Sequence, residues 1–384
     1  MEENDYKVID LFAGSGGSAL GFSQAGFTIA VAVDIDGPAS KTFSLNFPEA
    51  TVLNTDIREI GGKDLLKAAN EENNEKIVLI ACPPCQGFSS ARRKSEASSD
   101  PRNNLILEFV RIVSEIMPIA FVMENVPGLA KGIGKELFDV TLTKLRELGY
   151  QTVHNVVDCA DYGVPQRRKR LVLMGTKNPQ LRLTFPKVTN QNPDLKGAYL
   201  PSWKTVKDTI DDLNEVAAGE KDNNDIMHVS ANLSETNIER LNVTPHDGGD
   251  RTSWPDALIL QCHRNKNGFR DVYGRMHWNR PSPTITGGCA MISKGRFGHP
   301  EQNRAITLRE AARLQTFPDT FRFIGNFGQI AKQLGNAVPP LLAKRIADSL
   351  VKSFDDLKIS SNVLSDNSDI SEFPAPVLSP ALFS

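Results

Sequence analysis

Apolar residues fall in short unbroken runs over the first 176 positions of this 384-residue chain: KVIDLFAG, TIAVAVDI, KIVLIAC, IAFVMENV and KRLVLMGT. Runs of this length, rich in Val and Ile, predict strands covered on both faces. Between them, LILEFVRIVSEI and LFDVTLTKLRELG repeat their apolar positions every three to four residues, which predicts helices. Strands alternating with helices predict an α/β domain on a mostly parallel, Rossmann-like sheet with helices on both faces. From residue 187 to 280 the periodicity dissolves into text such as TNQNPDLKGAYLPSW and VTPHDGGDRTSWPD, which predicts a smaller, loop-rich domain. Helical patterns return at TLREAARLQTF and PPLLAKRIADSLVKSF, whereas residues 353–384 are Ser-rich and acidic and are expected to be a disordered tail.

Composition narrows the setting. Five cysteines, an odd number without regular spacing, argue against a disulfide framework and for free thiols in a reducing compartment. The start, MEENDYKVIDLFAG, lacks a basic segment ahead of an apolar one, and no stretch reaches about 18 uninterrupted apolar residues. A soluble, cytoplasmic protein is the expectation. The net charge of -2 gives no sign of a polyanionic partner, but it hides an asymmetry. Residues 1–75 carry 5 Lys/Arg against 13 Asp/Glu, and residues 264–313 carry 10 against 3. That basic segment reads either as a solvated face or as a surface for nucleic acid.

Three stretches carry chemistry. In KVIDLFAGSGGSALGF a strand runs into a glycine-rich turn and a helix, with Gly14, Gly16 and Ala19 fitting G-x-G-x-x-G/A. Asp34 lies 20 residues past Gly14 at the end of the next strand, where a carboxylate accepts from ribose hydroxyls. Asp56 ends a third segment and reads as a helix cap or as a reader of an adenine amino group. The second stretch, ACPPCQGFSS, brings Cys82-Pro83-Pro84-Cys85 to the carboxyl edge of the sheet. Cys159, Cys262 and Cys289 supply no second C-x-x-C, so zinc is disfavoured, and a redox pair or a single nucleophilic thiolate remains. The third is IAFVMENVPGL, whose Glu124-Asn125 ends a strand at the same edge, followed by Gln166, Arg168 and Arg170 alternating into the strand after it.

The blocks DLFAGSGG, PPCQGFS, ENVPGL, QRRKR and GNAVPP occur in the order found in DNA (cytosine-5)-methyltransferases of bacterial modification type, and the chain resembles that family from about residue 7 to 350. The resemblance implies an S-adenosylmethionine-dependent enzyme that yields S-adenosylhomocysteine, uses no metal, and methylates carbon 5 of a cytosine flipped out of duplex DNA. It gives Cys85 the role of a thiolate that adds to carbon 6. Glu124 meets ring nitrogen 3, Arg170 holds the 2-oxo group, and Arg168 and Gln166 support the site. It places Phe12 under the adenine, Ser15 and Gly17 near the methionine end, Asp34 on the ribose, Ile35 and Ile57 beside the adenine and Asp56 on its amino group. Pro84, Leu105, Asn336 and Val338 complete the pocket. Asp34 stands where relatives often have Glu, and Ile35 where they often have an aromatic residue.

The implied organisation is a catalytic domain of residues 1–186 completed by 326–352, and a target-recognition domain of 187–325 that carries a DNA-facing basic segment. The resemblance further implies monomeric action, and a restriction endonuclease acting separately is an expected companion. A tRNA cytosine-5 methyltransferase of the same fold shares Cys85 and Glu124 and remains an alternative, although no Cys-Phe-Thr signature occurs. A nicotinamide-dependent oxidoreductase would use the glycine turn and Asp34 but leaves the other four blocks unexplained.

Overall fold

The computed structural model describes residues 5–72, 74–84, 104–132, 134–197, 199–264 and 271–366. Seven strands form one sheet: β1 (Lys7–Leu11), β2 (Thr28–Val33), β3 (Thr51–Leu53), β4 (Ile77–Ala81), β5 (Ala120–Asn125), β6 (Gln151–Asp158) and β7 (Lys169–Thr176). Their order is β3-β2-β1-β4-β5-β7-β6, parallel throughout except that β7 runs antiparallel to both neighbours. The five expected strands are all present. The two that the hydrophobic pattern does not reveal, β3 and β6, are the sheet edges. An edge strand needs less apolar surface, and only two of the eight residues of β6 are buried, so neither produces an unbroken run.

The helices are α1 (Gly17–Gln24), α2 (Gly37–Asn46), α3 (Gly62–Ala68), α4 (Leu105–Ile116), α5 (Gly134–Glu147), α6 (Lys207–Ile210), α7 (Glu235–Asn242), α8 (Gln261–Arg264), α9 (Leu308–Leu314), α10 (Phe327–Asn336) and α11 (Pro340–Asp366). Helix α4 spans the predicted LILEFVRIVSEI, and its Ile106, Phe109, Val110 and Val113 pack under one face of the sheet with Leu79 and Phe121. Helices α1 and α11 cover the opposite face through Ala19, Phe22, Leu342, Ile346 and Leu350. They cross closely because residue 21 is glycine: a Cβ there would lie 2.4 Å from the Pro340 carbonyl oxygen and 2.5 Å from Ala343 Cβ. The last helix therefore packs beside the first, and both ends of the chain build the sheet domain.

A separate core joins Val206, Ile210, Met276, Ile285 and Phe297 to Leu308, Leu314, Phe317, Phe321, Ile330 and Leu334. Two expectations change here. Helix α10 buries Ile330, Ala331 and Leu334 in this second core, so the return to the sheet begins at Val338 instead of residue 326. The segment from 353 is helical as far as Asp366, and Phe354 stacks on Tyr6 with ring centroids 4.1 Å apart, so the beginning of the expected tail is ordered by a buried aromatic contact.

Several arginines of the basic segment are turned inward and so are not part of any surface. Arg275 and Arg304 are fully buried and Arg309 nearly so. Arg275 donates to the carbonyls of Leu241, Thr244, His299, Glu301 and Gln302, while Arg304 forms a two-pronged pair with Glu310 at 2.8 Å on each prong. Arg309 and Arg313 are spent on Asp225, Asp212 and Asp319. A loop-rich domain has many carbonyls outside regular ladders, and guanidinium groups satisfy several at once. Among the described residues of this stretch, the basic side chains that remain exposed are Arg264, Arg280 and Lys294.

Candidate active site

Strand β1 ends in backbone that few side chains adopt. Phe12 has φ 58° and is followed by Gly14 at 55° and Gly16 at 93°, which turns the chain into α1. A non-glycine residue held in the left-handed region costs about 1–3 kcal/mol and is concentrated at ligand sites. The predicted carboxylate reaches this turn: Asp34 Oδ2 accepts from Gly14 N at 2.7 Å, and Oδ1 accepts from Asp36 N at 2.7 Å. Burial raises the Asp34 carboxyl above its ordinary range, against the pull of those two amides. Ile35 beside it is 69% exposed, an apolar side chain offered to the same opening. Ile57 is buried, and Asp56 caps the short turn it begins, bound to Arg58 through Nε at 2.9 Å and through the backbone amide at 3.0 Å. Those hydrogen bonds from Arg58 pull Asp56 down to about 2, so it is a carboxylate at any working pH.

The segment from Gly335 to Val338 closes the turn from the other side. A Cβ on Gly17 would lie 2.4 Å from the Val338 carbonyl oxygen, so the returning chain touches the start of α1 with no room to spare. Asn336 is exposed and Val338 buried, Leu105 is partly buried at the start of α4, and Pro84 is partly buried after β4.

At the other end of the sheet edge, Arg170 Nε lies 2.6 Å from Glu124 Oε1, with both side chains only about an eighth exposed. The antiparallel register explains the pair: Glu124 stands opposite Val172, and Arg170 is two residues along β7 on the same face. Asn125 Nδ2 donates to the Pro83 carbonyl at 3.0 Å, tying the exit of β5 to the exit of β4. Cys85 and residues 86–103 lie outside the described residues. Cys82, three positions earlier, sits 3.4 Å from Ser18 Oγ, and burial, with the nearby charges of Glu124 and Asp10, pushes its thiol well above the ordinary range. A thiol held protonated is a poor nucleophile.

Arg168 and Gln166 take a different position from Arg170. Arg168 donates to the carbonyls of Ile285 (2.8 Å), Gly335 (3.3 Å) and Ala337 (3.0 Å). Burial and then the neighbouring Arg170 lower its pKa to about 9, which still leaves it cationic at neutral pH. Gln166 accepts from Ile285 N at 2.9 Å and donates to Gln315 Oε1 at 2.8 Å. Both side chains therefore hold the chain segments around the site together, and the cation facing Glu124 is Arg170.

Asp10 and Gln315, which the motifs did not single out, also belong here. Asp10 is fully buried, neither carboxyl oxygen has a hydrogen-bond partner among the described residues, and burial followed by the charge of Asp34 raises it well above the ordinary range. Ser15 Oγ is likewise buried and unpartnered. The sequence signal for Asp10 is a carboxylate inside an otherwise apolar strand, KVIDLF, where burial without a partner is costly. Gln315 carries no such signal; its partners come from 149 and 19 residues away.

The profile of the C-5 cytosine-specific DNA methylase family matches residues 6–352. Among curated relatives, the Type II methylase M.HgiDII of Herpetosiphon aurantiacus is 37% identical over 356 residues, covering 91% of this chain and 96% of its own. The Type II methyltransferase M1.HphI of Haemophilus parahaemolyticus is 38% identical, covering 90% and 86%. Among solved structures, a DNA modification methyltransferase encoded within a prophage of E. coli superposes with a TM-score of 0.68 at 25% identity, covering 91% of this chain and 99% of its own.

Proposed function

Because this chain belongs to the C-5 cytosine-specific DNA methylase family, and is a DNA cytosine-5 methyltransferase of the Type II kind, we propose that it methylates one cytosine in a short duplex sequence through a covalent Cys85 adduct. The observation that supports this most is the Glu124–Arg170 pair, mostly buried, at the sheet edge where β4 delivers the chain toward Cys85.

The family uses S-adenosylmethionine, and the residues around the glycine turn suit it. Asp10, buried without a hydrogen-bond partner among the described residues, matches a ligand that brings a cation or a hydroxyl, and Ser15 offers a second unfilled polar group. Asp34, although fixed by two amides, keeps a lone pair on each oxygen for ribose hydroxyls. Phe12, Ile35 and Ile57 supply apolar contact for the adenine, Asp56 an acceptor for its amino group, and Gly17, Pro84, Leu105, Asn336 and Val338 the remaining wall. When bound, the cofactor supplies an electrophilic methyl group.

The protein's own residues prepare the base. The Cys85 thiolate adds to cytosine carbon 6, which moves electron density into the ring. Glu124 meets ring nitrogen 3 and stabilises the proton that nitrogen gains, while Arg170 fixes the Glu124 carboxylate and donates to the 2-oxo group. Carbon 5 then has the character of an enamine and acquires the methyl group. Loss of the carbon 5 proton to water as the Cys85–carbon 6 bond breaks, with the nitrogen 3 proton that Glu124 supplied returning to Glu124, restores the aromatic ring and the thiolate. Arg168 and Gln166 hold this arrangement in place. Sequence choice is assigned to side chains of residues 187–279 and the exposed Arg280 and Lys294, acting on duplex DNA. The enzyme would act as a monomer in the cytoplasm and protect host DNA from a restriction endonuclease acting separately.

Bisulfite sequencing of DNA from a host expressing the protein tests the reading. The expected result is methylcytosine at one position of one short sequence. Methyl label from the cofactor that enters tRNA and never duplex DNA would overturn it.

A further inference from the structure

Three chain segments that are far apart in sequence meet at one fully buried side chain, Gln315. Gln315 accepts from Gln166 Nε2 at 2.8 Å through Oε1; its own Nε2 donates to the carbonyls of Leu334 and, at 3.3 Å, of Ala337. The Ala337 carbonyl also accepts from Arg168 at 3.0 Å. Gln166 and Arg168 in turn hold both backbone polar groups of Ile285, the amide at 2.9 Å and the carbonyl at 2.8 Å. Thr284 Oγ1 adds a bond to the Arg167 carbonyl at 2.7 Å.

The two loops held this way face different ligands. Ala337 lies between Asn336 and Val338 on the wall assigned to the cofactor, and Val338 abuts Gly17 of the glycine turn. Ile285 leads into Thr286 and Gly287, which are exposed between Arg280 and Lys294, the two cations assigned to DNA. The loops also touch directly: a Cβ on Gly335 would lie 1.9 Å from Gly287 N and 2.0 Å from the Thr286 carbonyl carbon. Packing this tight transmits displacement, because neither loop can move without moving the other or breaking buried hydrogen bonds.

We propose that Gln315 is a positioning residue that couples the cofactor wall at 335–338 to the DNA-facing loop at 284–287, so that each ligand strengthens binding of the other. The proposal rests on the assignment of cofactor and DNA given above. Coupling of this kind is reciprocal by thermodynamic necessity. Gln315 touches neither ligand in this account; it acts by fixing the Ala337 carbonyl and, through Gln166, the Ile285 amide.

The experiment measures the affinity of S-adenosylhomocysteine by calorimetry, with and without a saturating duplex that carries the site found by bisulfite sequencing. For the wild-type protein the duplex is expected to tighten S-adenosylhomocysteine binding at least about five-fold. In Gln315→Met, which keeps the volume and loses the amide, that factor should fall below about two-fold, with binding in the absence of DNA much less affected. A wild-type factor near one, or a Gln315→Met factor equal to the wild-type one, overturns the proposal. Hydrogen exchange on the wild-type protein needs no variant to fold: S-adenosylhomocysteine alone should slow exchange at Ile285 and Gly287, and unchanged rates there overturn the coupling. Absence of any S-adenosylhomocysteine binding by the wild-type protein would instead overturn the cofactor assignment, a result distinct from binding without coupling.

Discussion

Replacing Gly17 by Ala sets two effects of opposite sign against each other. Gly17 is the first residue of α1, where alanine is favoured over glycine by up to about 1 kcal/mol on backbone grounds. The added methyl, however, would lie 2.4 Å from the Val338 carbonyl oxygen and 3.3 Å from both Ala337 Cβ and Phe317 Cζ. Reaching ordinary contact requires a retreat of about 1 Å. The loop is poorly placed to give way, because Arg168 and Gln315 bind the Ala337 carbonyl next to it. Overpacking against so constrained a neighbour costs about 1–3 kcal/mol, so the clash outweighs the helix gain. The expected outcome is S-adenosylhomocysteine binding weakened about ten-fold, since about 1.4 kcal/mol is a factor of ten, with a melting temperature lower by about 2–6 °C. Calorimetric titration and a thermal melt measure both. Affinity within about two-fold of wild type together with an unchanged or higher melting temperature would refute the reasoning, because it would mean that the 335–338 segment yields freely.

The two cysteines of ACPPCQG should separate cleanly: Cys82→Ala is expected to keep methyltransferase activity and to form a covalent adduct with fluorocytosine DNA, whereas Cys85→Ala loses both, and equal loss in both variants would restore the dithiol reading. Burial lowers His299 to about 4 against the opposing charge of Glu310, with Arg304 and Arg275 adding smaller contributions in the lowering direction, and its Nδ1 accepts from the amides of Glu301 and Gln302 and so must be unprotonated. The unfolded chain binds this proton near 6.5 and the folded one near 4, so stability is present above about 6.5 and is lost as pH falls from there toward 4, at up to about 1.4 kcal/mol per pH unit. Urea unfolding between pH 7 and 5 should show that slope in the wild-type protein and a flatter one in His299→Gln. Arg275→Lys keeps the charge but not the fork of donors that serves five carbonyls, and should cost about 3 kcal/mol or more, read as proteolysis within residues 200–330 before the sheet domain is cut.

The parts of the molecule that were legible in advance are those with strong local signals. The five inner strands announce themselves because a strand covered on both faces must be apolar at every position. Helix α4 does so because it buries one face, and the turn before α1 because glycine adopts the positive φ angles at positions 14 and 16 without the strain a side chain brings. The edge strands β3 and β6, and the short helices α2 and α3, bury too little to leave such a mark. The basic segment illustrates the opposite failure: a count of charges cannot distinguish an arginine facing solvent from Arg275 or Arg304, which are fully buried.

By itself, then, the sequence determined the α/β sheet, the glycine turn with Asp34 within reach, and the ending of β4 ahead of Pro83-Pro84 beside the Glu-Asn-Val exit of β5 at one edge of that sheet. Each follows from periodicity or from the order of residues along a strand. Only the tertiary structure decided which arginine faces Glu124, because Arg168 and Arg170 share a face of β7 and differ in what happens to pack over each. It also decided that Asp10 is a buried acid without a hydrogen-bond partner among the described residues and that Gln315 joins Gln166 to the carbonyl of Ala337. The physical reason is the same in each case: a hydrogen-bonding group is specified by its partner, and these partners, or their absence, depend on chain segments far away in sequence.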